Sequence, residues 1–149
     1  MIALLQRVGR AEVRVAGSPR GRIGPGVLVF LGCRRGDGSA EAERMGRRIA
    51  GYRVFPDGDG KTNLDLTQVG GEVLVVSQFT LAADTRKGRR PSFDTALEPA
   101  AARVLVEEVC QALRGHGLKV EQGVFGAEME VELLNLGPAS YLLEVSGRS

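Results

Sequence analysis

The chain has 149 residues, of which 43% are hydrophobic and 26% charged, with a formal net charge of +2. Those proportions and that length are those of an ordinary globular chain forming one domain over 1–149, large enough to bury a real core. They exclude a helical membrane protein, because no apolar run approaches the roughly 18 residues a bilayer span requires.

The opening, "MIALLQRVGR", has too short an apolar run and no small-residue cleavage site for a signal peptide, so a cytoplasmic location is expected. Ile2–Val8 and Glu12–Val15 read as two strands joined around Gly9. "IGPGVLVFLGC" supplies a Gly-Pro-Gly turn and then an apolar run suited to a strand covered on both faces. Ser39 is the expected cap of a helix with Glu41 and Glu43 in its first turn. Ala42, Met45, Ile49 and Tyr52 recur at helical spacing, with Arg44, Arg47 and Arg48 outside. "FPDGDGKTNLD" is turn-rich, Val73–Val76 is a second buried strand, and Thr80–Phe93 reads as a long loop.

Pro99 suits the first position of a second helix, which carries Leu105, Val109, Ala112 and Leu113 inward and ends at Gly115-His116-Gly117. Leu118–Val120 is a short strand. Ala127–Leu133 alternates strictly, with Glu128, Glu130 and Glu132 on one face, and Tyr141–Val145 closes the chain. These elements give an α+β domain: a mainly antiparallel, barrel-like sheet with two substantial helices packed on it.

Several motifs fail on inspection. "GDGKT" lacks the earlier glycine of a phosphate-binding loop, since Phe55 stands there, and reads as a hairpin turn. Asp57, Asp59 and Asp65 lack the twelfth-position glutamate of a calcium loop, where Gln68 stands. His116 is the single histidine and follows a helix end, so a histidine base, a zinc site and a Ser-His-Asp triad are all disfavoured. Neither a metal nor any other cofactor is expected. Cys33 and Cys110 read as buried thiols acting as small hydrophobes.

The charge is unevenly spread. Residues 1–90 hold sixteen Arg/Lys against nine Asp/Glu, and residues 91–149 hold four against nine. A basic face for a polyanion and a scatter of solvated arginines both fit that distribution. The sharpest local feature is "VVSQFTLAADTRKGRRPSF", Val75–Phe93, where an apolar strand ends in Ser77, Gln78 and Thr80 just before Arg86, Lys87, Arg89 and Arg90. The hydroxyls and amide suit positioning or oxyanion stabilisation better than proton shuttling, since none titrates near neutrality; capping a turn is their plainer use. The cationic run is either a phosphate clamp, with Phe93 available for stacking, or a solvated loop. In "NLGPAS", Asn135–Ser140, Gly137-Pro138 interrupts two apolar strands as a bend or an edge, presenting carbonyl oxygens with no side chain in the way.

Taken together, "LLQRV", "IGPGVLVFLG", "RVFPDGDGKTNLDL", "VVSQFTLAADTRKGRRPSF" and "FGAEMEVELLNLGP" make the chain resemble the D-aminoacyl-tRNA deacylases throughout its length. The resemblance implies a metal-free homodimer, with active sites at the interface, that hydrolyses the ester of D-aminoacyl-tRNA and of glycine mischarged on tRNA(Ala). It implies a catalytic role for Ser77, Gln78 and Thr80, with Arg7, Phe79, Phe125 and Met129 in support. Arg86, Lys87, Arg89 and Arg90 would hold tRNA phosphates. Gly137-Pro138 would be cis and enter the partner's pocket, holding the α-amino group and leaving no room for an L side chain.

Thr80 as nucleophile and the tRNA's own 2′-hydroxyl are rival drivers of the reaction; the lack of an evident activating base favours the hydroxyl. Members of the family commonly read Asn-Asp-Gly-Pro-Val-Thr where this chain has Leu136, Ala139 and Ser140, so the turn itself departs from the pattern. A tRNA-binding module without turnover and a small-molecule esterase are the alternative readings.

Overall fold

Strand β1 runs unbroken from Ile2 to Val15 in the computed structural model, which describes residues 1–147. The break expected at Gly9 is instead an irregularity within one strand, visible as shifts of register between Gln6 and Val8 and between Val8 and Arg10. A strand this long has room for two partners along one edge. β2 (Ser18–Ile23) pairs with its second half and β3 (Gly26–Gly32) with its first, both antiparallel.

Helix α1 (Ser39–Gly51) follows, capped by Gly38 rather than by Ser39. The cap works through Glu41, whose carboxylate accepts the Gly38 N–H at 2.8 Å. The turn-rich "FPDGDGKTNLD" folds as the expected hairpin, β4 (Phe55–Pro56) against β5 (Thr62–Leu64), and leads through the single turn α2 (Leu66–Val69) into β6 (Glu72–Ser77). α3 (Pro99–Gly115) starts at its proline, with the Glu98 carboxylate accepting the N–H groups of Ala100 and Ala101. β7 (Lys119–Gln122) and β8 (Glu130–Glu144) complete the chain.

The sheet is mixed. β1, β2, β3 and β8 meet antiparallel, whereas β6 lies parallel to β3 and β7 parallel to β6. Parallel neighbours need crossovers, and α1 and α3 lie within those two connections. The sheet also curls towards closure. At Gly21 of β2 an added Cβ would sit 2.6 Å from the Gln122 carbonyl oxygen of β7, so the two ends of the sheet touch at a glycine.

Curling explains why β3 and β6 are apolar on both faces. Val27, Val29, Leu31, Val73 and Val75 face the helices, joining Met45, Ile49, Leu105, Val109 and Leu113 in the main core. Leu28, Leu74 and Val76 point into the curl with Val8, Val13 and Ile23. Full burial of such a side chain contributes roughly 1.5–3 kcal/mol. α1 and α3 meet so closely that a Cβ at Gly46 would lie 2.5 Å from the Ala112 Cβ. Cys33 and Cys110 are free, buried thiols, and burial pushes them up to about 11 and about 12 respectively. No described helix is long and apolar enough to cross a membrane.

One glycine locks the parallel pair. A Cβ at Gly26 would lie 1.8 Å from the Glu72 carbonyl oxygen and 2.6 Å from its nitrogen, both backbone atoms. Gly26→Ala is therefore expected to part β3 from β6 and to lose at least about 3 kcal/mol, at the upper end of overpacking costs. A urea midpoint within error of the native protein's would refute that expectation.

Candidate active site

β3 and β6 run parallel and stop together, and their carboxyl ends open into a cavity of about 830 Å³. Ligands collect at the ends of parallel strands because each strand fixes a group that the following loop leaves open. Here β6 delivers Ser77 and Gln78 to the cavity. The register is held to the last residue, with Leu31 opposite Ser77 and the Gln78 N–H donating to the Leu31 carbonyl at 2.8 Å. The chain then turns sharply through a 3-10 turn, Phe79–Ala82.

The rest of the wall is apolar. Phe79 and Phe93 come from either end of the loop and meet with ring centroids 5.1 Å apart. Phe125 and Met129 line the cavity with them. Met129 is seated by its own loop: the Val124 N–H donates to its Sδ at 3.4 Å, and a Cβ at Gly123 would come within 2.7 Å of that sulfur. Arg103 of α3 lies over the Phe125 ring, 4.9 Å from its centroid.

Thr80 is exposed and is not among the lining residues. Its hydroxyl oxygen accepts a hydrogen bond from the Gln78 side-chain amide. An amide N–H can donate to that oxygen but cannot remove its proton. His116, at the far end of α3, does not line the cavity either.

The loop expected to clamp phosphates is pinched at its base by two hydrogen bonds between Asp84 and Ser92, of 2.7 and 3.0 Å. Gly88 supplies a positive φ of 71° at its tip. Its four cations are exposed but not equivalent. Arg86 is ion-paired to Asp84 at 2.7 Å, while Lys87, Arg89 and Arg90 have no acidic partner among the described residues. The hydrogen-bonding Arg86 guanidinium holds Asp84 down to about 2 from the ordinary 3.8. A carboxylate depressed in this way keeps its contribution above pH 3.8 and loses it only as pH falls through about 2, so Arg86 stays neutralised near neutrality. Asp84→Asn should free that charge and steepen the salt dependence of RNA binding by about one phosphate contact. An unaltered slope in a salt titration would show that Arg86 does not face the nucleic acid.

Gly137-Pro138 stands apart from this cavity. The peptide bond between them is cis, and the turn bulges from β8 between Asn135, opposite Val8, and Ser140, opposite Gln6. Two side chains hold it. Arg7 donates from Nε to the Leu136 carbonyl at 3.0 Å and from Nη1 to the Val54 carbonyl at 2.7 Å. Asn135 closes the turn from within, accepting the Ala139 N–H at 2.7 Å and donating to the Ala139 carbonyl at 3.2 Å. Neither bond of Arg7 involves a side chain at 136, so leucine there leaves the buttress intact. Gly137 and Pro138 are both exposed and line no part of their own chain's cavity.

A family model described as D-Tyr-tRNA(Tyr) deacylase matches residues 4–144, nearly the whole chain. The chain belongs to the D-aminoacyl-tRNA deacylase family. It is 54% identical over 144 residues to the D-aminoacyl-tRNA deacylase of Anaeromyxobacter dehalogenans (strain 2CP-C), covering 97% of each protein. It is 51% identical over 145 residues to that of Alcanivorax borkumensis (strain ATCC 700651 / DSM 11573 / NCIMB 13689 / SK2), covering 97% of this chain and all of that one. A solved structure described as c-Myc DNA Unwinding Element Binding Protein superposes with a TM-score of 0.92 at 37% identity, over 99% of this chain and 100% of the other. A probable eukaryotic D-amino acid tRNA deacylase superposes at 0.82 with 16% identity, over 97% and 98%, which speaks for the fold. The protein is thus a D-aminoacyl-tRNA deacylase, a hydrolase acting on ester bonds with aminoacyl-tRNA as its substrate.

Within this deacylase the cavity gathers Ser77, Gln78, Phe79, Phe125 and Met129. It leaves Arg7 with Gly137-Pro138 at a second place, and the 86–90 loop at a third. Sequence reasoning missed Asn135 as the internal clamp of the turn. An asparagine four residues before a peptide group it must bind was the available signal. It also passed over Arg35, which lines the cavity.

Proposed function

We propose that the ester of D-aminoacyl-tRNA, and of glycine mischarged on tRNA(Ala), is hydrolysed beside Ser77 and Gln78, and that L-aminoacyl-tRNA is rejected by Gly137-Pro138 of a second subunit. The observation that carries this reading is the separation of parts. The hydroxyl and amide line one cavity, while an exposed, doubly clamped turn lies outside that lining. A turn built so firmly and used by nothing in its own chain is suited to a neighbour's cavity. Leu134, Leu136 and Leu142 of β8 are exposed beside it, 43–55% accessible, and would be covered in a homodimer.

In the assembled site the turn's carbonyl oxygens accept hydrogen bonds from the substrate's α-amino group. Their closeness to Cα excludes a side chain of L configuration, whereas a D side chain or the hydrogen of glycine points elsewhere. Phe79 and Thr80 open the 3-10 turn, so their N–H groups have no intrahelical acceptor and suit the developing oxyanion. Lys87, Arg89 and Arg90 supply the sequence-independent attraction for tRNA. Such an enzyme works in the cytoplasm, where aminoacyl-tRNA is made.

The test uses matched D- and L-tyrosyl-tRNA and glycyl-tRNA. Loss of the D and glycyl esters with the L ester spared supports the reading. Survival of all three, with tRNA still bound and the binding weakening steeply with salt, would point to a binding module without turnover.

A further inference from the structure

Arg35 is the single cationic side chain among the described residues that line the cavity. It lies in the connection between β3 and α1, and its main chain is tied to the rim. The Arg35 N–H donates to the Thr95 carbonyl at 2.9 Å, and the Leu97 N–H to the Cys33 carbonyl at 3.1 Å. Between them Arg34 bridges to Ala96. The backbone is therefore fixed, while the side chain is exposed and makes no hydrogen bond or ion pair with any described residue. The adjacent Arg34 differs in this respect, being paired to Glu144 at 2.9 Å.

Glu98 is the other charged residue of the lining. Its carboxylate is engaged with the first N–H groups of α3, at 2.8 and 3.3 Å, and does not pair with Arg35. Among the described residues the cavity thus carries one cation with no ion-pair partner, attached to a rigid rim, and one carboxylate occupied by α3. The lining also supplies polar groups for an ester, Ser77 and Gln78, and apolar wall from Phe125 and Met129. A nucleoside ester needs just these two, and the nucleotide adds one anion, the phosphate on the far side of the sugar.

We propose that Arg35 binds the 5′-phosphate of the terminal nucleotide that carries the aminoacyl ester. The contact is separate from the 86–90 loop, which would meet phosphates further along the strand. This inference rests on the reading that the ester lies beside Ser77 and Gln78. An exposed guanidinium making a charge-assisted bond to phosphate corresponds to about a tenfold change in affinity.

The probes are 3′-D-tyrosylamido-3′-deoxyadenosine, which cannot be hydrolysed, and the same compound bearing a 5′-phosphate, titrated by calorimetry. The native protein should bind the phosphorylated probe about tenfold more tightly than the nucleoside. Arg35→Gln should erase that advantage while leaving the nucleoside Kd and the thermal midpoint unchanged, and Arg35→Lys should restore part of it. Equal loss for both probes, an undiminished advantage in Arg35→Gln, or no binding to the native protein overturns the assignment. An Arg35-dependent phosphate preference in a protein that left every aminoacyl ester intact would sink the hydrolytic site but keep the phosphate contact. D-ester cleavage with no such preference would do the reverse.

Discussion

Gly137→Ala is expected to cut the ratio of D- to L-tyrosyl-tRNA hydrolysis at least tenfold while the protein stays folded. Gly137 holds φ at +137°, a conformation L residues rarely adopt. Its Cβ would lie 2.9 Å from Arg7 Nη2, 3.0 Å from the Ala139 nitrogen and 3.3 Å from the Ala139 Cβ. The guanidinium could swing aside, but the Ala139 nitrogen is backbone that the Asn135 side chain holds, so the turn itself must move.

On the proposed reading, rejection of the L ester depends on where two carbonyl oxygens sit, and a shift of a few tenths of an ångström would both open room for a side chain and lengthen bonds to the α-amino group. The D ester should therefore slow as the L ester quickens. Folding should survive because the turn is an exposed bulge outside both cores. Arg7→Met should move the ratio the same way by a smaller amount, since it removes one clamp and leaves Asn135. Single-turnover rates for both esters decide it; an unchanged ratio in a folded Gly137→Ala protein would falsify the role given to the turn.

Much of the architecture was legible because it rests on local pattern. The alternation of Glu128, Glu130 and Glu132 with Met129, Val131 and Leu133 is that of a strand exposed on one face, and β8 contains most of it. The helices were legible from Ala42-Met45-Ile49 and from Pro99 onward. What local pattern does not encode is partner choice. Continuity of β1 through Gly9 comes from its pairing with β8, and the parallel pairing of β6 with β3 and β7 follows from two crossovers. Ser39 was the better cap on side-chain chemistry, yet Gly38 holds that position because Glu41 reaches back to its N–H.

The site divides in the same way. Ser77, Gln78, Phe79 and Gly137-Pro138 are marked by unusual residues in contiguous blocks. Arg35 and Asn135 are ordinary residues whose use depends on what folding brings beside them. Arg86 shows the converse: it belongs to the cationic run in sequence, yet the structure neutralises it with Asp84 two residues before.

The largest single loss of rate is expected from the substrate, not from the protein. D-tyrosyl-tRNA ending in 2′-deoxyadenosine should be cleaved at least about 100-fold more slowly, whereas Thr80→Val should cost the native substrate less than about tenfold. A threonine hydroxyl becomes a nucleophile only if something takes its proton. The Thr80 hydroxyl meets a donor, the Gln78 amide, and among the described residues no histidine or carboxylate lines the cavity except Glu98, whose oxygens are held by α3.

An aminoacyl ester needs little activation, and the vicinal 2′-hydroxyl is placed to orient the water that attacks the carbonyl carbon, after which the acyl C–O bond breaks and the proton passes to the departing 3′-oxygen. On the proposed reading the protein's part is to hold the carbonyl oxygen against the Phe79 and Thr80 N–H groups, which are backbone and persist in Thr80→Val. Rapid-quench kinetics on the two substrates and the two proteins separate the cases. A collapse with Thr80→Val and indifference to the 2′-hydroxyl would require a base that the described residues do not provide, and would return the threonine to the role of nucleophile.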